Sequence, residues 1–294
     1  MPGCPPEPNP LLRCKRSLKR VRWRFRRARV ALKYGRETLR QAPVVFGNAM
    51  PKSGSHLLTQ VLEGLTAFGP FVNPGYPPVN RTEGNTPLPK DAIIAQVEDM
   101  KPGDIRYGYL HAEEPFLSIF NQPDRATIFI YRDPRDMLVS HVFYATEMHT
   151  GHGMHAYYTQ VLTSMEERLN AAIAGVTATG CTLPGVRQRY DVYLGWLDHP
   201  GILPIKFEDL ILHRDAALGR VLDYLENRGF RPIVGRAEAI VEMKNAIAPR
   251  RSGTFRKGQP GNWKEYFTER NKALFKEVAG DLLVRLGYEE DEHW

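Results

Sequence analysis

Few cysteines and no long apolar run occur in this sequence, and both absences limit what the protein can be. Its 294 residues include three cysteines, Cys4, Cys14 and Cys181, which is too few for the disulfide framework of a small secreted domain. No stretch approaches the roughly 18 consecutive apolar residues of a membrane-spanning helix. The N-terminal segment is charged throughout and lacks the apolar region of a signal peptide, so we expect none. These features predict a cytoplasmic protein.

Acidic residues are scarce in one part of the chain only. Residues 1–40 contain 13 Lys and Arg but only two acids, Glu7 and Glu37, whereas the other 254 residues contain 27 Lys and Arg and 31 Asp and Glu. The formal net charge of +7 therefore comes from an N-terminal arm, and the remaining chain is slightly acidic. We divide the sequence into a basic amphipathic arm, residues 1–41, and one domain, residues 42–294.

The arm has the periodicity of an amphipathic helix. Its apolar residues recur at steps of three and four between Leu11 and Arg40, and arginine or lysine fills most other positions; these apolar residues are Cys14, Leu18, Val21, Phe25, Ala28 and Leu32. One interpretation is peripheral attachment of residues 11–40 to an anionic membrane surface. Another is a helix docked on the domain or on another subunit, with its basic face in solvent. Nucleic-acid binding is disfavoured because nothing else in the chain supports it.

Apolar strands alternate with helical segments in the remaining chain. The predicted strands are Val44–Phe46, Asp104–His111, Ala126–Tyr131 and Ile202–Phe207. Long helices are expected at Met137–Met148, near Tyr158–Ala174 and at Glu269–Leu286. Such alternation predicts a single α/β domain whose central parallel β-sheet is flanked by helices.

The segment Pro43–Leu65 combines a buried strand, a loop of small residues and an amphipathic helix. This order directs backbone N–H groups and the positive end of the helix dipole toward one point, where Lys52 adds a mobile charge. Ser55 is the expected N-cap of the helix. The loop is P-loop-like but is no Walker A motif, because Pro51 stands where that motif has a glycine. Its expected ligand is a phosphate or a similar tetrahedral anion.

Further polar residues follow the predicted strands. His111 ends one strand, Arg132 follows another, and Ser140 lies about two helical turns beyond Arg132. The segment Arg256–Gly258 adds two cations beside a glycine. Ligands of open parallel sheets bind beyond the carboxyl ends of the strands. Two basic groups at such an edge predict a ligand with two anionic groups.

Three motifs resemble those of sulfotransferases that use 3′-phosphoadenosine 5′-phosphosulfate (PAPS). PKSGS is similar to their 5′-phosphosulfate loop, YRDPRDMLVSHVFY to their 3′-phosphate motif, and RKGQPGNWKEYFT to their carboxyl-terminal RKGxxGDWKxxFT motif. KFEDL matches a further landmark. The motifs occur in family order and cover residues 43–288.

The resemblance implies a role for each matching residue. Lys52, Ser53, Gly54 and Ser55 would hold the 5′-phosphosulfate, and His56 is included with them. Arg132 and Ser140 would hold the 3′-phosphate, together with Arg256, Lys257 and Gly258. His111 would be the general base and Lys52 would stabilise the leaving group. The resemblance implies PAPS as co-substrate, its desulfated form (PAP) as product, and no metal.

The sequence departs from the family pattern at several positions. His111 stands in the context Tyr109-Leu110-His111-Ala112-Glu113 instead of K-T-H-L-P. Leu57 replaces the tryptophan that stacks on adenine, and Asn262 replaces an aspartate. Four histidines, His141, His149, His152 and His155, have a spacing that fits no common set of metal ligands.

The predicted function is transfer of a sulfuryl group to a hydroxyl-bearing small molecule or glycolipid. Two alternatives remain open: a sulfotransferase-like protein that binds the nucleotide without turnover, and an adaptor attached to membranes through the arm. A P-loop kinase is excluded by the missing glycine-lysine pair.

Overall fold

A four-stranded parallel sheet runs through the protein. The structure is a computed structural model that describes residues 10–251, 253 and 256–294. The strands in chain order are β1 (Val44–Ala49), β2 (Ile105–Gly108), β3 (Arg125–Tyr131), β4 (Val176–Ala178), β5 (Cys181–Leu183) and β6 (Ile202–Lys206). The sheet has the order β2-β1-β3-β6, and β4 and β5 form a separate antiparallel hairpin. Val45 pairs with Ile105 on β2 and with Ala126 on β3, and Ile130 pairs with Ile205 on β6. The predicted parallel α/β fold is confirmed.

Helices surround this sheet and connect its strands. They are α1 (Pro10–Tyr34), α2 (Arg36–Gln41), α3 (Ser55–Phe68), α4 (Lys90–Glu98), α5 (Phe116–Phe120), α6 (Pro134–Phe143), α7 (Met165–Ala174), α8 (Val186–Asp198), α9 (Phe207–Leu212), α10 (Arg214–Asn227), α11 (Arg236–Ala246), α12 (Glu269–Ala279) and α13 (Leu282–Arg285). Short π-helical segments span Tyr144–Met148 and Tyr157–Val161, and 3₁₀ segments span Pro249–Arg251 and Asn262–Glu265. No helix in the described ranges is both long and apolar enough to span a bilayer.

The two faces of the sheet pack into two separate apolar layers. Val44 and Phe46 face one layer and Val45 faces the other, because successive side chains of a strand point to opposite faces. The first layer includes Phe129 and Trp196, whereas the second includes Ile128 and the apolar face of α3. Burial on both faces explains why these strands are nearly continuous apolar runs.

Strand β2 is shorter than the predicted strand Asp104–His111. Asn80 Oδ1 accepts a hydrogen bond from Tyr109 N (3.3 Å), and Asn48 Oδ1 accepts one from Leu110 N (2.9 Å). Side chains thus replace the neighbouring strand as hydrogen-bond partners after Gly108. This exchange releases the chain from the sheet just before His111.

Three predicted helices are interrupted in the structure. Asp133 caps α6 by accepting a hydrogen bond from Arg135 N (2.9 Å), so α6 begins before Met137, and it ends at Phe143, where a π-helical segment follows. The segment near Tyr158–Ala174 is divided before α7, which starts with a capping box formed by Ser164 and Glu167. The segment Glu269–Leu286 breaks at Gly280, whose φ of +54° ends α12.

Helix α1 lies on the domain through its polar side. Trp23 Nε1 and Arg27 Nη1 each donate to Asp104 Oδ1 at 2.8 Å, and Lys19 forms an ion pair with Glu83 at 2.7 Å. Asp104 is 5% exposed, and a buried carboxylate needs such donors. The expectation of a solvated basic face is therefore wrong for Arg27 and in part for Lys19. Residues 1–9 of the predicted arm lie outside the described residues.

The apolar stripe of α1 points away from the domain. Leu18, Val21, Phe25 and Leu32 are 54%, 62%, 65% and 87% exposed. They lie on the side of the helix opposite Trp23 and Arg27, as the period of 3.6 residues requires. Exposed arginines flank the stripe, including Arg22, Arg24 and Arg29.

Candidate active site

A cavity of about 890 Å³ opens at the carboxyl ends of the strands. It is lined by the loop after β1, the chain beyond β2, helix α6 and the segment that precedes Asn262. All predicted site residues line it except Ser53. No acidic residue occurs among the described residues of its wall. The cavity is therefore suited to a ligand with several negative charges.

The loop after β1 places the start of α3 against this cavity. Lys52 and Gly54 adopt φ angles of +68° and +98°. A Cβ atom on Gly54 would lie 2.5 Å from Phe207 Cδ2, so this position requires glycine for both its backbone conformation and its close contact. The first N–H groups of a helix lack intrahelical acceptors. The loop and the 14-residue helix α3 thus provide donors for an anion.

Ser53 and Ser55 differ from their predicted placement. Gly54, in the left-handed region, is the N-cap of α3, so the prediction that Ser55 caps the helix is wrong. Ser55 is instead the first helical residue, and its Oγ lies 3.0 Å from Tyr109 Oη. Ser53 is fully buried beneath the loop, and its Oγ has no hydrogen-bond partner among the described residues.

Lys52 lies where the two predicted anion sites meet. Burial lowers its pKa to about 8, and the positive charges of Arg132 and Arg256 contribute to this decrease. Its Nζ lies 3.8 Å from the ring centroid of Tyr144. His56 also lines the cavity, and its pKa is lowered by burial and by the charge of Lys52. The cations are close enough to repel one another, and an anionic ligand would relieve that repulsion.

Arg132 follows the last residue of β3 and is 8% exposed. Its Nη2 makes two long contacts, 3.5 Å to Asp136 Oδ2 and 3.4 Å to Gln259 O, while its Nε has no partner among the described residues. The guanidinium packs on Phe207, whose ring centroid is 4.5 Å from Cζ. Because both contacts are long and therefore weak, N–H groups of Arg132 remain able to donate to a ligand. Ser140, two turns along α6, lines the same cavity.

Asp136 connects Arg132 with the carboxyl-terminal segment, and sequence reasoning missed this role. Its two carboxylate oxygens accept hydrogen bonds from Gly261 N and Trp263 N, each at 2.8 Å. Asp136 is 1% exposed. The carboxylate thereby fixes the segment that carries Arg256, Lys257 and Gly258 beside α6.

The residues of that segment make different contacts at the cavity. Arg256 Cζ lies 4.1 Å from the ring centroid of Phe143. Lys257 is exposed and its Nζ forms an ion pair with Glu265 at 2.7 Å. Gly258 has a φ of +63°. Arg256 is therefore better placed than Lys257 to bind an anion in the cavity, because the charge of Lys257 is paired with that of Glu265.

His111 lies on a short irregular segment that is fixed on both sides. Leu110 O accepts hydrogen bonds from Asn48 Nδ2 (2.9 Å) and Trp196 Nε1 (2.8 Å), and Ala112 N donates to Val192 O (2.7 Å). The His111 ring meets the ring of Tyr193 edge-on, with centroids 5.2 Å apart. Asn48 and Trp196 thus position His111 through the backbone of the preceding residue. Neither was predicted, since only the tertiary structure brings them to Leu110.

Three of the four noted histidines line the cavity near Lys52: His141, His149 and His152. His141 is 7% exposed, and its Nε2 has no partner among the described residues. Burial, together with the charges of Arg189, His152 and Lys52, lowers its pKa well below the usual value. Within the described ranges, no group of three or more His, Cys, Asp or Glu residues could hold a metal ion.

Comparison with known proteins identifies the family. Residues 45–287 match the family model of the sulfotransferase domain. No curated protein matches significantly. Among solved structures, a mouse sulfotransferase, SULT7A1, in complex with PAP is similar at 19% identity, over 85% of this chain and 88% of that one, with a TM-score of 0.58.

Retinol dehydratase is a second structural relative. Its complex with androsterone and PAP matches at 15% identity over 84% of this chain and 83% of that one, with a TM-score of 0.52. Its complex with retinol and PAP matches at 15% identity over 84% of each chain, with a TM-score of 0.54. At these identities the likeness shows a shared fold, whereas the match to the family model covers most of the sequence. The chain belongs to the sulfotransferase family.

Proposed function

We propose that this protein transfers a sulfuryl group from PAPS to the hydroxyl group of an acceptor. The observation that carries the proposal is the convergence of Lys52, Arg132 and Arg256 on one cavity without an acidic residue among the described lining residues. PAPS carries anionic groups at two ends, which suits separated cations on a single wall. Its product PAP occurs in the related structures named above.

The two ends of the donor would occupy different parts of the cavity. Lys52, Gly54, Ser55 and His56 surround the start of α3, where the 5′-phosphosulfate would bind, with Ser53 beneath them. The 3′-phosphate would bind Arg132 and Ser140, and Arg256, Lys257 and Gly258 would close over it.

Adenine would be held by an apolar part of the cavity wall. Leu57, which replaces the expected tryptophan, lines the cavity together with Phe207, Ile211 and Pro249. Gln60 connects this region to the later chain through two hydrogen bonds of 3.0 Å with Ala248. Tyr190 is fully buried and donates to Arg132 O (2.9 Å), so it is not placed to contact the base.

His111 would act as the general base in an in-line displacement. Its imidazole takes the proton of the acceptor hydroxyl as the acceptor oxygen forms a bond to sulfur. The bond between sulfur and the bridging oxygen of the 5′-phosphate breaks, and Lys52 stabilises the charge that develops on this oxygen. The roles parallel those of phosphoryl transfer, where positioning and electrostatic stabilisation supply most of the catalysis.

Two measurements test this function. Saturating PAP should raise the melting temperature, and incubation with ³⁵S-labelled PAPS and a panel of phenols, hydroxysteroids and glycolipids should yield a labelled acceptor. A thermal shift without any product would favour the alternative of a nucleotide-binding protein without turnover. No thermal shift at millimolar PAP would contradict both.

We further propose that residues 42–294 form the catalytic domain and that residues 1–41 form an arm that attaches it to an anionic membrane surface. The supporting observation is the exposed apolar stripe of α1, flanked by exposed arginines, which matches the pattern of interfacial helices. A membrane position would favour a glycolipid acceptor over a freely soluble one.

Co-sedimentation with vesicles tests whether the arm attaches the protein to a membrane surface. The full chain should pellet with vesicles that contain phosphatidylserine and much less with phosphatidylcholine alone. The variant Val21→Ser/Phe25→Ser should lose pelleting without loss of stability, because both side chains are exposed. Equal pelleting of the variant and the wild type would contradict the proposal. Deletion of residues 1–40 separates the adaptor alternative, because an adaptor would lose its function with the arm whereas an enzyme would keep PAPS binding.

A further inference from the structure

One arginine of the cavity wall is not among the residues to which we assign the donor. Arg81 lines the cavity together with His111, Tyr109 and Tyr193. Burial raises the pKa of Tyr109 and Tyr193, and the positive charge of Arg81 partly opposes this increase in both. The charges that act on Lys52 belong instead to Arg132 and Arg256. Asn80, the residue before Arg81, is hydrogen-bonded to the backbone of Tyr109, two residues before His111. Arg81 therefore lies on the His111 side of the cavity, where the acceptor would bind.

The guanidinium of Arg81 has no carboxylate partner in the described part of the chain. Its Nη1 donates to Asn85 O at 3.2 Å, and the same loop's acid, Glu83, pairs with Lys19. An arginine presents five N–H donors in a planar fork that matches an oxyanion. A cation that faces a cavity without acidic residues is suited to a negative group on the ligand.

The loop that carries Arg81 is held in place by several hydrogen bonds. Asn80 forms two with the backbone of Tyr109, donating to Tyr109 O at 3.2 Å and accepting from Tyr109 N at 3.3 Å. Val79 N donates to Tyr107 O at 2.9 Å, and Thr82 N donates to Thr86 O at 2.8 Å. Because its neighbours are fixed to the chain around β2, Arg81 is already positioned before a ligand binds.

We infer that the acceptor carries an anionic group, such as a carboxylate or an ester of sulfate or phosphate, and that Arg81 binds this group while the hydroxyl faces His111. The inference rests on the proposed sulfotransferase function. It makes Arg81 a determinant of acceptor specificity that selects anionic hydroxyl compounds over their neutral analogues.

Matched acceptor pairs test the inference. N-acetyltyrosine is compared with N-acetyltyrosine amide, and a hydroxysteroid carboxylate with its amide, as acceptors for labelled PAPS. The anionic member of each pair should have a kcat/KM higher by roughly 10- to 100-fold, the range expected for a hydrogen bond to a charged group. Arg81→Gln should remove this preference and leave the KM for PAPS unchanged. Arg81→Lys should retain part of it, because the charge remains and the fork is lost.

A binding measurement tests the inference even when none of these compounds is sulfated. The O-methyl ethers of the same compounds are titrated into protein saturated with PAP, using wild type, Arg81→Gln and the control Arg270→Gln, whose side chain is 77% exposed on α12 and does not line the cavity. Tighter binding of the anionic ethers to wild type and the control, but not to Arg81→Gln, supports the inference.

The outcomes separate this inference from the proposed function. Equal affinity for both members of each pair, or no binding of any, overturns the role of Arg81 even when PAP stabilises the protein. An increased KM for PAPS in Arg81→Gln also overturns it, because Arg81 would then bind the donor. Absence of PAP binding contradicts the proposed function itself.

Discussion

Asn48 and Leu110 are joined by two hydrogen bonds of 2.9 Å, one in each direction between the side-chain amide of Asn48 and the backbone of Leu110. Asn48 is fully buried on β1, so the central strand of the sheet fixes the residue just before His111. The position of the proposed general base therefore depends on an amide that never reaches the cavity.

Replacement of Asn48 should impair turnover more than nucleotide binding. Asn48→Ala leaves the buried N–H and C=O groups of Leu110 without this partner, which should cost about 1–3 kcal/mol of unfolding free energy. We expect kcat to fall and the dissociation constant of PAP to stay within about 3-fold, since the cations lie on other segments. The measurements are thermal unfolding, PAP titration and steady-state kinetics. Equal losses in PAP affinity and kcat would show that Asn48 supports the donor site instead.

Removal of the His111 imidazole should abolish most of the turnover. His111→Ala is expected to lower kcat by roughly 10²- to 10⁴-fold, the usual contribution of a general base, while PAP still raises the melting temperature. The control is His213→Ala, an exposed histidine that does not line the cavity and should leave kcat unchanged. Unchanged turnover in His111→Ala would remove this residue from the mechanism.

The affinity for PAP should decrease as the pH rises above 8. The pKa of Lys52 is lowered to about 8 in the free protein, and a bound anion favours the charged amine and raises this pKa. Below pH 8 Lys52 is already protonated, whereas above pH 8 binding requires proton uptake and becomes weaker. Titration of PAP between pH 7 and 9.5 measures the effect. Lys52→Gln should bind PAP more weakly at pH 7, and its PAP affinity should depend less on pH. If the variant and the wild type had the same pH dependence, Lys52 would not be the group that titrates.

Neutralisation of Asp136 should weaken binding of the 3′-phosphate. The side-chain amide in the variant Asp136→Asn offers one acceptor oxygen where the carboxylate offers two, so either Gly261 N or Trp263 N loses its bond. The segment with Arg256 would then be less well fixed, and we expect PAP affinity to fall by about 10-fold.

A ligand without a 3′-phosphate provides the control for Asp136→Asn. Adenosine 5′-phosphosulfate should bind the variant and the wild type with similar affinity, as measured by calorimetry. A comparable loss for both nucleotides would mean that Asp136 stabilises the fold as a whole.

Several structural features could not be predicted from local patterns. The apolar stripe of α1 predicted correctly that a helix forms, but not which side faces the domain. Asp104 is distant in sequence, and its buried carboxylate draws Trp23 and Arg27 inward. Arg81 was overlooked for a similar reason, because its place beside Tyr109 depends on the contacts of Asn80.

Apolar periodicity, a strand–loop–helix unit and motif residues are local properties of the chain, and they were sufficient to predict the parallel sheet and the family. The three-dimensional contacts were needed to show that Gly54 instead of Ser55 caps α3, that Asn48 fixes the segment before His111, and that Asp136 holds the carboxyl-terminal segment. These depend on backbone conformation or on hydrogen bonds between residues as many as 127 positions apart, and no pattern within one segment records which distant partner satisfies a buried polar group.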